Sequence, residues 1–405
     1  MLSPSQPHFK NYLASVVGFL AAGVIIVVTS VIVVDPYGLY GVINSSFNVI
    51  KPGLNRYQSE IKLQRAIHSN PEFVILGNSR AEIGFDPDSP AFGRLAGRGF
   101  NLSVPGTGIN TAIEQLDNLA TAGIKPSIII IGVEFIDFLT VSTALGNTKS
   151  TSSASKEPSR SVIWWQFDAL FSMETLKDVV RTLRLQRSEE TASLSSKGFN
   201  PLNEYKAYVR DDGYHKIFEQ RSLENAAIFR HKSQLALSKS DLESLHTLLL
   251  AATKNGAEVK MLIYPYHAQI MAMFEDAGLW SLFELWKLQL VEEVAILKQE
   301  APERKLALFD FSGFGTMNCE HIPLKSEKGS VETKWYWEAG HFKKTLGDLI
   351  VRRIMQQSDA SSNPDFGVAL ERSTQLSNKL RIERERSVCS LAQPRLFEYS
   401  RRLFR

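Results

Sequence analysis

The sequence predicts an α/β protein built on a doubly wound parallel sheet, with a transmembrane helix in front and a largely helical insertion within it. Two observations carry the sheet. Short apolar runs at Phe73–Leu76, Gly99–Val104 and Ile128–Val133 recur at intervals of about 30 residues, with amphipathic stretches between them. The same pattern resumes at Val259–Pro265 and Leu306–Phe311, after an interval of different character. A third observation carries the transmembrane helix: Tyr12 to Val34 holds no charge, and about 20 apolar residues span a bilayer.

That first stretch is longer than the apolar region of a secretory signal. Val31-Ile32-Val33-Val34-Asp35-Pro36 offers no small-x-small cleavage site, so the segment through Val34 reads as a signal anchor. Lys10 precedes it and Asp35 follows, a bias that puts the N-terminus in the cytoplasm and the body outside. Residues 35–70 read as a membrane-proximal connector, with turns at Pro36-Tyr37-Gly38 and Pro52-Gly53 and a helix over Tyr57–Ile67. Beyond the second strand, Ile109, Ala112, Ile113, Leu116 and Leu119 share one helix face.

Leu139–Arg160 is dense in Ser, Thr and Lys without a period, and reads as a flexible excursion. It opens an insertion over 141–232, expected to be a lid or polymer-binding flap, in which helical spacing returns over Val162–Leu185. Helices over Leu235–Lys254 and Leu279–Lys298 flank the fourth strand. The last core helix carries Phe342, Leu346, Leu349, Ile350 and Ile354 on one face. The core thus occupies 71–140 and 233–356. Residues 357–405 are polar and arginine-bearing, and read as a loosely packed helix or a partly disordered tail.

Composition narrows the function classes. With 46 basic and 43 acidic residues the net charge is +3, which makes no case for nucleic acid as a partner. Cys319 and Cys389 allow at most one disulfide, and no metal-ligand spacing is present. Glu134 and Asp137 have no histidine beside them to make a metal site.

The chemistry is expected at two stretches. Gly77-Asn78-Ser79-Arg80 delivers Ser79 to the carboxyl end of a central strand, where open α/β sheets place their sites. A serine is a weak nucleophile and needs a base. Trp335-Tyr336-Trp337-Glu338-Ala339-Gly340-His341 supplies an acid three residues before a histidine, ahead of an amphipathic helix. On a helical turn Glu338 would lie beside His341, orienting the ring that exchanges the serine proton. Asp212–His215 and Glu243–His246 share the spacing; the first falls in the insertion, the second within a helix. Tyr264-Pro265-Tyr266-His267 follows the fourth strand, making Tyr264 and His267 candidates to line a substrate, or packed loop residues. Arg80 either pairs with Glu82 or Asp86 or holds a substrate anion.

Together, Gly77-Asn78-Ser79-Arg80 and Glu338-Ala339-Gly340-His341 resemble the first and last blocks of the SGNH (GDSL-like) hydrolase and acyltransferase superfamily. The likeness is nearest to its membrane-anchored branch, such as the D-alanyl transfer protein of teichoic acid synthesis and alginate O-acetylation proteins. It implies a flavodoxin-like fold of SGNH type, no cofactor, and a catalytic set of Ser79, His341 and Glu338. It also implies an oxyanion hole from the backbone N–H groups of Ser79 and Gly106. The implied activity is that of a serine O-acyltransferase or carbohydrate esterase at the outer face of the cytoplasmic membrane. Its partners would be a polysaccharide acceptor and a membrane-bound acyl donor protein.

Two residues depart from the family pattern. Glu338 stands where the family has aspartate. Glu134 stands in the third block where an asparagine would donate to the oxyanion, and an ionised carboxylate there would repel it. Asn78 or Asn110 would then have to substitute. The alternative reading is a catalytically inactive scaffold or binding module of a polysaccharide-synthesis complex, with Glu134 as its main support.

Overall fold

The computed structural model of the chain describes residues 6–43, 45–51, 56–140, 162–186, 191, 193–356 and 366–405. They fall into two units. One holds the chain up to Ile61 together with the helices Val162–Phe171 and Met173–Leu185; the other holds the remainder.

The first unit begins with the helix Gln6–Val34, whose segment Phe9–Val34 is 26 residues long with a mean hydropathy of 2.8. At about 1.5 Å per residue it spans roughly 39 Å, enough to cross the ~30 Å hydrocarbon core of a bilayer. Among the described residues it is the one helix long and apolar enough to do so. Asp35 ends it: its carboxylate accepts from the N–H groups of Leu39 at 2.7 Å and Gly41 at 2.9 Å. The connector is clipped to the two later helices by side chains. Tyr37 donates to Asp178 at 2.8 Å, Tyr57 donates to Asp168 at 2.6 Å, and the Gln186 amide brackets the backbone of Ile50. The turn expected at Pro52-Gly53 lies outside the described residues.

Among the described residues the second unit holds ten strands: β1 Phe73–Leu76, β2 Gly99–Asn101, β3 Ile128–Val133, β4 Leu139–Thr140, β5 Ala236–Leu237, β6 Glu258–Ile263, β7 Leu306–Asp310, β8 Tyr336–Glu338, β9 His341–Phe342 and β10 Val368–Ala369. The main sheet runs β10-β7-β6-β3-β1-β2, parallel throughout except for β10. Its five parallel strands follow the doubly wound order 2-1-3-4-5, which places the end of β1 at the switch point beside β3. All four residues of β1 are buried, which accounts for its unbroken apolar run.

Several expectations give way. β2 stops at Asn101 and not at Val104, because Asn101 turns its side chain onto the chain. It donates to the carbonyls of Ala81 at 2.9 Å and Phe85 at 2.7 Å, and accepts from Ser103 N–H at 3.0 Å. The stretch Leu139–Arg160 opens not as a loop but as β4, paired with β5; the rest of it, from 141, lies outside the described residues. The insertion read over 141–232 is not one piece. Its helices Val162–Phe171 and Met173–Leu185 belong to the first unit, while Asn203–Asp212 and Tyr214–Lys232 belong to the second.

The C-terminal region differs most. Residues 366–405 form β10 and the ordered helices Gln375–Ala392 and Pro394–Phe404, not a loose tail. Polar composition misleads here because the polar groups are engaged. Asn378 donates to Asp310 at 2.7 Å, and Arg381 donates to the Ser312 carbonyl at 3.1 Å and pairs with Glu385 at 2.7 Å. Ile382, Leu396 and Phe397 are buried, and a disulfide joins Cys319 to Cys389 across 70 residues. Closing a loop of that length restricts the unfolded chain by about 4 kcal/mol. Cys389→Ser is therefore expected to lower unfolding stability by up to about that amount in denaturant titration; an unchanged midpoint would refute this.

Candidate active site

Ser79 opens the helix Ser79–Gly84 directly after β1, and the side chain of Asn78 caps it by accepting from Arg80 N–H at 3.1 Å. The turn before it has to be glycine. Gly77 has φ +153°, and a Cβ there would run into the Tyr264 hydroxyl, which also occupies the space beside Gly132 at the end of β3.

Glu338 and His341 do not sit on a helical turn. They are a cross-strand pair in the β8–β9 hairpin, turned by Ala339-Gly340, and the helix Lys344–Ile354 begins only afterwards. Phe342 seats this hairpin on the serine helix: a Cβ at Gly84 would overlap its ring, and Phe85 meets it edge-on at 5.5 Å. His341 Nε2 thereby comes to 2.9 Å from Ser79 Oγ, while Nδ1 bonds Glu338 Oε1. Gly340 N–H donates to the other carboxylate oxygen at 2.6 Å. With Nδ1–H donating to the carboxylate, Nε2 is left to accept the serine proton. Glu338 is 1% exposed and His341 20%, while Ser79 is half-buried. Burial pushes the Glu338 carboxyl up, but the His341 ring and the Gly340 N–H outweigh it and hold the group below its ordinary range.

Arg80 pairs with neither Glu82 nor Asp86. Its guanidinium meets Glu134 and lies over the Tyr266 ring at 5.3 Å, and the Tyr266 hydroxyl donates to Glu134 at 3.0 Å. The Glu134 carboxylate is therefore compensated on both oxygens. Arg80 Nε is buried without a hydrogen-bond partner among the described residues.

Glu82 is engaged from below by Lys62, at 2.6 Å, and both are fully buried. Lys62 also donates to the Ser103 carbonyl at 2.5 Å, so one ammonium ties the serine helix to the turn leading to Gly106. Burial pulls Lys62 below the usual lysine range against the attraction of Glu82. Sequence reasoning missed this residue. Its signal was position: Lys62 shares a helix face with Ile61 and Ala66, both fully buried.

Gly106 has φ +71° in an exposed turn with open space around it, and Asn110 is exposed. Tyr264 and His267 are fully buried and line no open surface. The rival pairs do not form: among the described residues His215 Nδ1 has no partner, and His246 bonds Glu293 at 2.6 Å in place of Glu243. Among the described residues no cluster of His, Cys, Asp and Glu is placed to hold a metal.

His267 instead caps the helix Ala268–Asp276, accepting from Gln269 N–H at 3.2 Å and reaching the Glu320 carbonyl at 2.9 Å through Nε2. Burial pulls its imidazole from 6.5 down to about 4. The unfolded chain thus takes up a proton first as pH falls, and stability is lost between pH 6.5 and 4. Each pKa unit is worth about 1.4 kcal/mol, so the loss is about 3 kcal/mol. His267→Asn is expected to flatten stability against pH in that window; a slope equal to wild type would sink the assignment.

No protein-family model, curated protein or solved structure matches the chain.

Proposed function

We propose that the chain is a membrane-anchored SGNH-type O-acyltransferase or esterase working through an acyl-Ser79 intermediate on an extracellular or envelope polysaccharide. The observation that carries this reading is the 2.9 Å contact between Ser79 Oγ and His341 Nε2, made across 262 residues of chain. Ser79 Oγ attacks the ester carbonyl carbon as its proton passes to His341, and Glu338 stabilises the imidazolium. The same proton then goes to the departing alkoxide. A sugar hydroxyl, or water in the hydrolytic case, attacks the acyl-serine, gives its proton to His341 and releases Ser79. Backbone N–H groups of Ser79 and Gly106 bind the oxyanion, and Arg80 supplies the positive charge that replaces the missing asparagine.

Two further features support an exported body. The apolar helix Phe9–Val34 suits an anchor, and a disulfide persists in oxidising compartments. The scaffold alternative drew on Glu134, whose pairing with Arg80 weakens that support. An alkyl fluorophosphonate probe separates the two readings. The full chain in detergent micelles is expected to be labelled on Ser79, with Ser79→Ala unlabelled. Failure to label the wild-type chain would favour the scaffold.

A further inference from the structure

At the carboxyl end of β7, with β6 and β3 between it and the strand of Ser79, a cavity of about 430 Å3 opens between the chain 311–319 and the helix Gln375–Ala392. It falls within the size range of ligand pockets, about 300–1,000 Å3. None of its lining residues belongs to the site around Ser79.

The walls are mainly apolar. Phe311, Phe314, Met317, Phe366 and Val388 line the cavity, and the Cys319–Cys389 disulfide forms part of its wall. Gly367 lets two of the rings close up: at φ +78° a Cβ there would overlap Phe311, which Phe366 meets edge-on at 5.1 Å. The apolar lining runs out onto the helix surface. Val388 is 68% exposed, and Leu391, three residues on and on the same face, is 84% exposed. Large apolar side chains left in water beside an apolar cavity extend it into an elongated contact surface.

The charges around the cavity do not balance. Arg381 pairs with Glu385 at 2.7 Å, and the Glu385 carboxylate also accepts from Phe314 N–H at 3.1 Å, so these two offset each other. Arg384 lines the cavity exposed and pairs with no described carboxylate. Among the described residues the uncompensated charge at the cavity is therefore positive. A small free anion would leave the apolar walls unfilled, and a neutral hydrocarbon would leave the guanidinium unused. A long apolar body with an anionic end satisfies both.

We propose that this cavity binds a single-chain anionic amphiphile, a fatty carboxylate or a lysophospholipid. Its alkyl chain lies along Phe314, Phe366, Val388 and Leu391, and its anionic end meets Arg384. The apolar helix Phe9–Val34, long enough to cross a bilayer, puts such molecules within reach. The proposal goes beyond the acyl-transfer reading and does not rest on it.

Photolabelling of the full chain in phosphatidylcholine nanodiscs tests it, using palmitate with a mid-chain diazirine and mass spectrometry of the labelled peptides. Label on Phe9–Val34 measures partition into the bilayer and serves as the reference. A second concentration of label is expected within 311–319 and 384–392; label confined to the apolar helix would overturn the site. Ala392→Trp, which fills the exposed mouth, is expected to cut the cavity label at least tenfold against the reference, and Arg384→Glu at least threefold. An unchanged ratio in folded Ala392→Trp would also overturn the site. Competition on the wild-type chain needs no variant. Excess palmitate or lysophosphatidylglycerol is expected to displace the cavity label, and displacement by one alone identifies the source. Octanoate should compete at least tenfold less, because fewer methylenes leave water. Equal competition by octanoate would overturn the alkyl chain, and equal competition by hexadecanol the anionic end. The fluorophosphonate experiment reads Ser79, outside these peptides, so either proposal can fail without the other.

Discussion

Replacing Ser79 by alanine is expected to lower turnover of a small acetyl ester by about 10^4-fold or more, with His341→Ala nearly as severe. The double variant should lose no more than the worse single one, because either change disables the same proton transfer. Glu338→Gln keeps the side chain's shape and its contact to Gly340 N–H, but removes the charge facing the imidazolium; about 10^3-fold is expected. Glu338→Asp keeps the charge but retracts the carboxylate by one methylene from both the His341 ring and Gly340. A misplacement of that size costs about 10^2-fold. His246→Ala should leave the rate unchanged, since His246 is held by Glu293 and contacts no member of the Ser79–His341–Glu338 chain. Steady-state rates checked against melting curves decide the matter: full activity in folded Ser79→Ala would end the assignment.

Arg80→Met is expected to lower kcat by about 10^2-fold, the usual effect of removing one charge or donor at a developing oxyanion. It should also strand the buried Glu134 carboxylate, at a cost of about 3–5 kcal/mol in stability. Those two effects separate in the Arg80→Met/Glu134→Met double variant, which removes the charge without adding an amide donor. Stability should largely return, because the unpaired charge is gone, while kcat stays low. If kcat recovers along with stability, Arg80 is a packing residue and the oxyanion needs another donor.

How far the sequence could be read depended on what each residue's neighbours were. Apolar runs such as Ile128–Val133 announce buried strands because both faces need the same chemistry. Ser79 and His341 were readable because their spacing from a strand end and from an acid is local. The hairpin at Glu338–His341 was not, since acid and base three apart fit a helical turn as well as a two-residue bend between strands. Glu134 read as a fault because its compensation comes from Arg80 and Tyr266, 54 and 132 residues away in sequence. The C-terminal helices were misread for the same reason: Arg381 and Asn378 look solvated until the carbonyl of Ser312 and the carboxylate of Asp310 are known to meet them.

The hairpin that carries the base has a temporal consequence. Ser79 is synthesised 262 residues before His341. At roughly 5–20 residues per second, the nascent chain holds its serine without a base for about 15–50 s. During that interval the hydroxyl is an ordinary one, with no base beside it to raise its nucleophilicity. Reactivity arrives only when the last third of the polypeptide docks. On the proposed acyl-serine reading, a chain assembled this way is born inert and is switched on by the completion of its own folding.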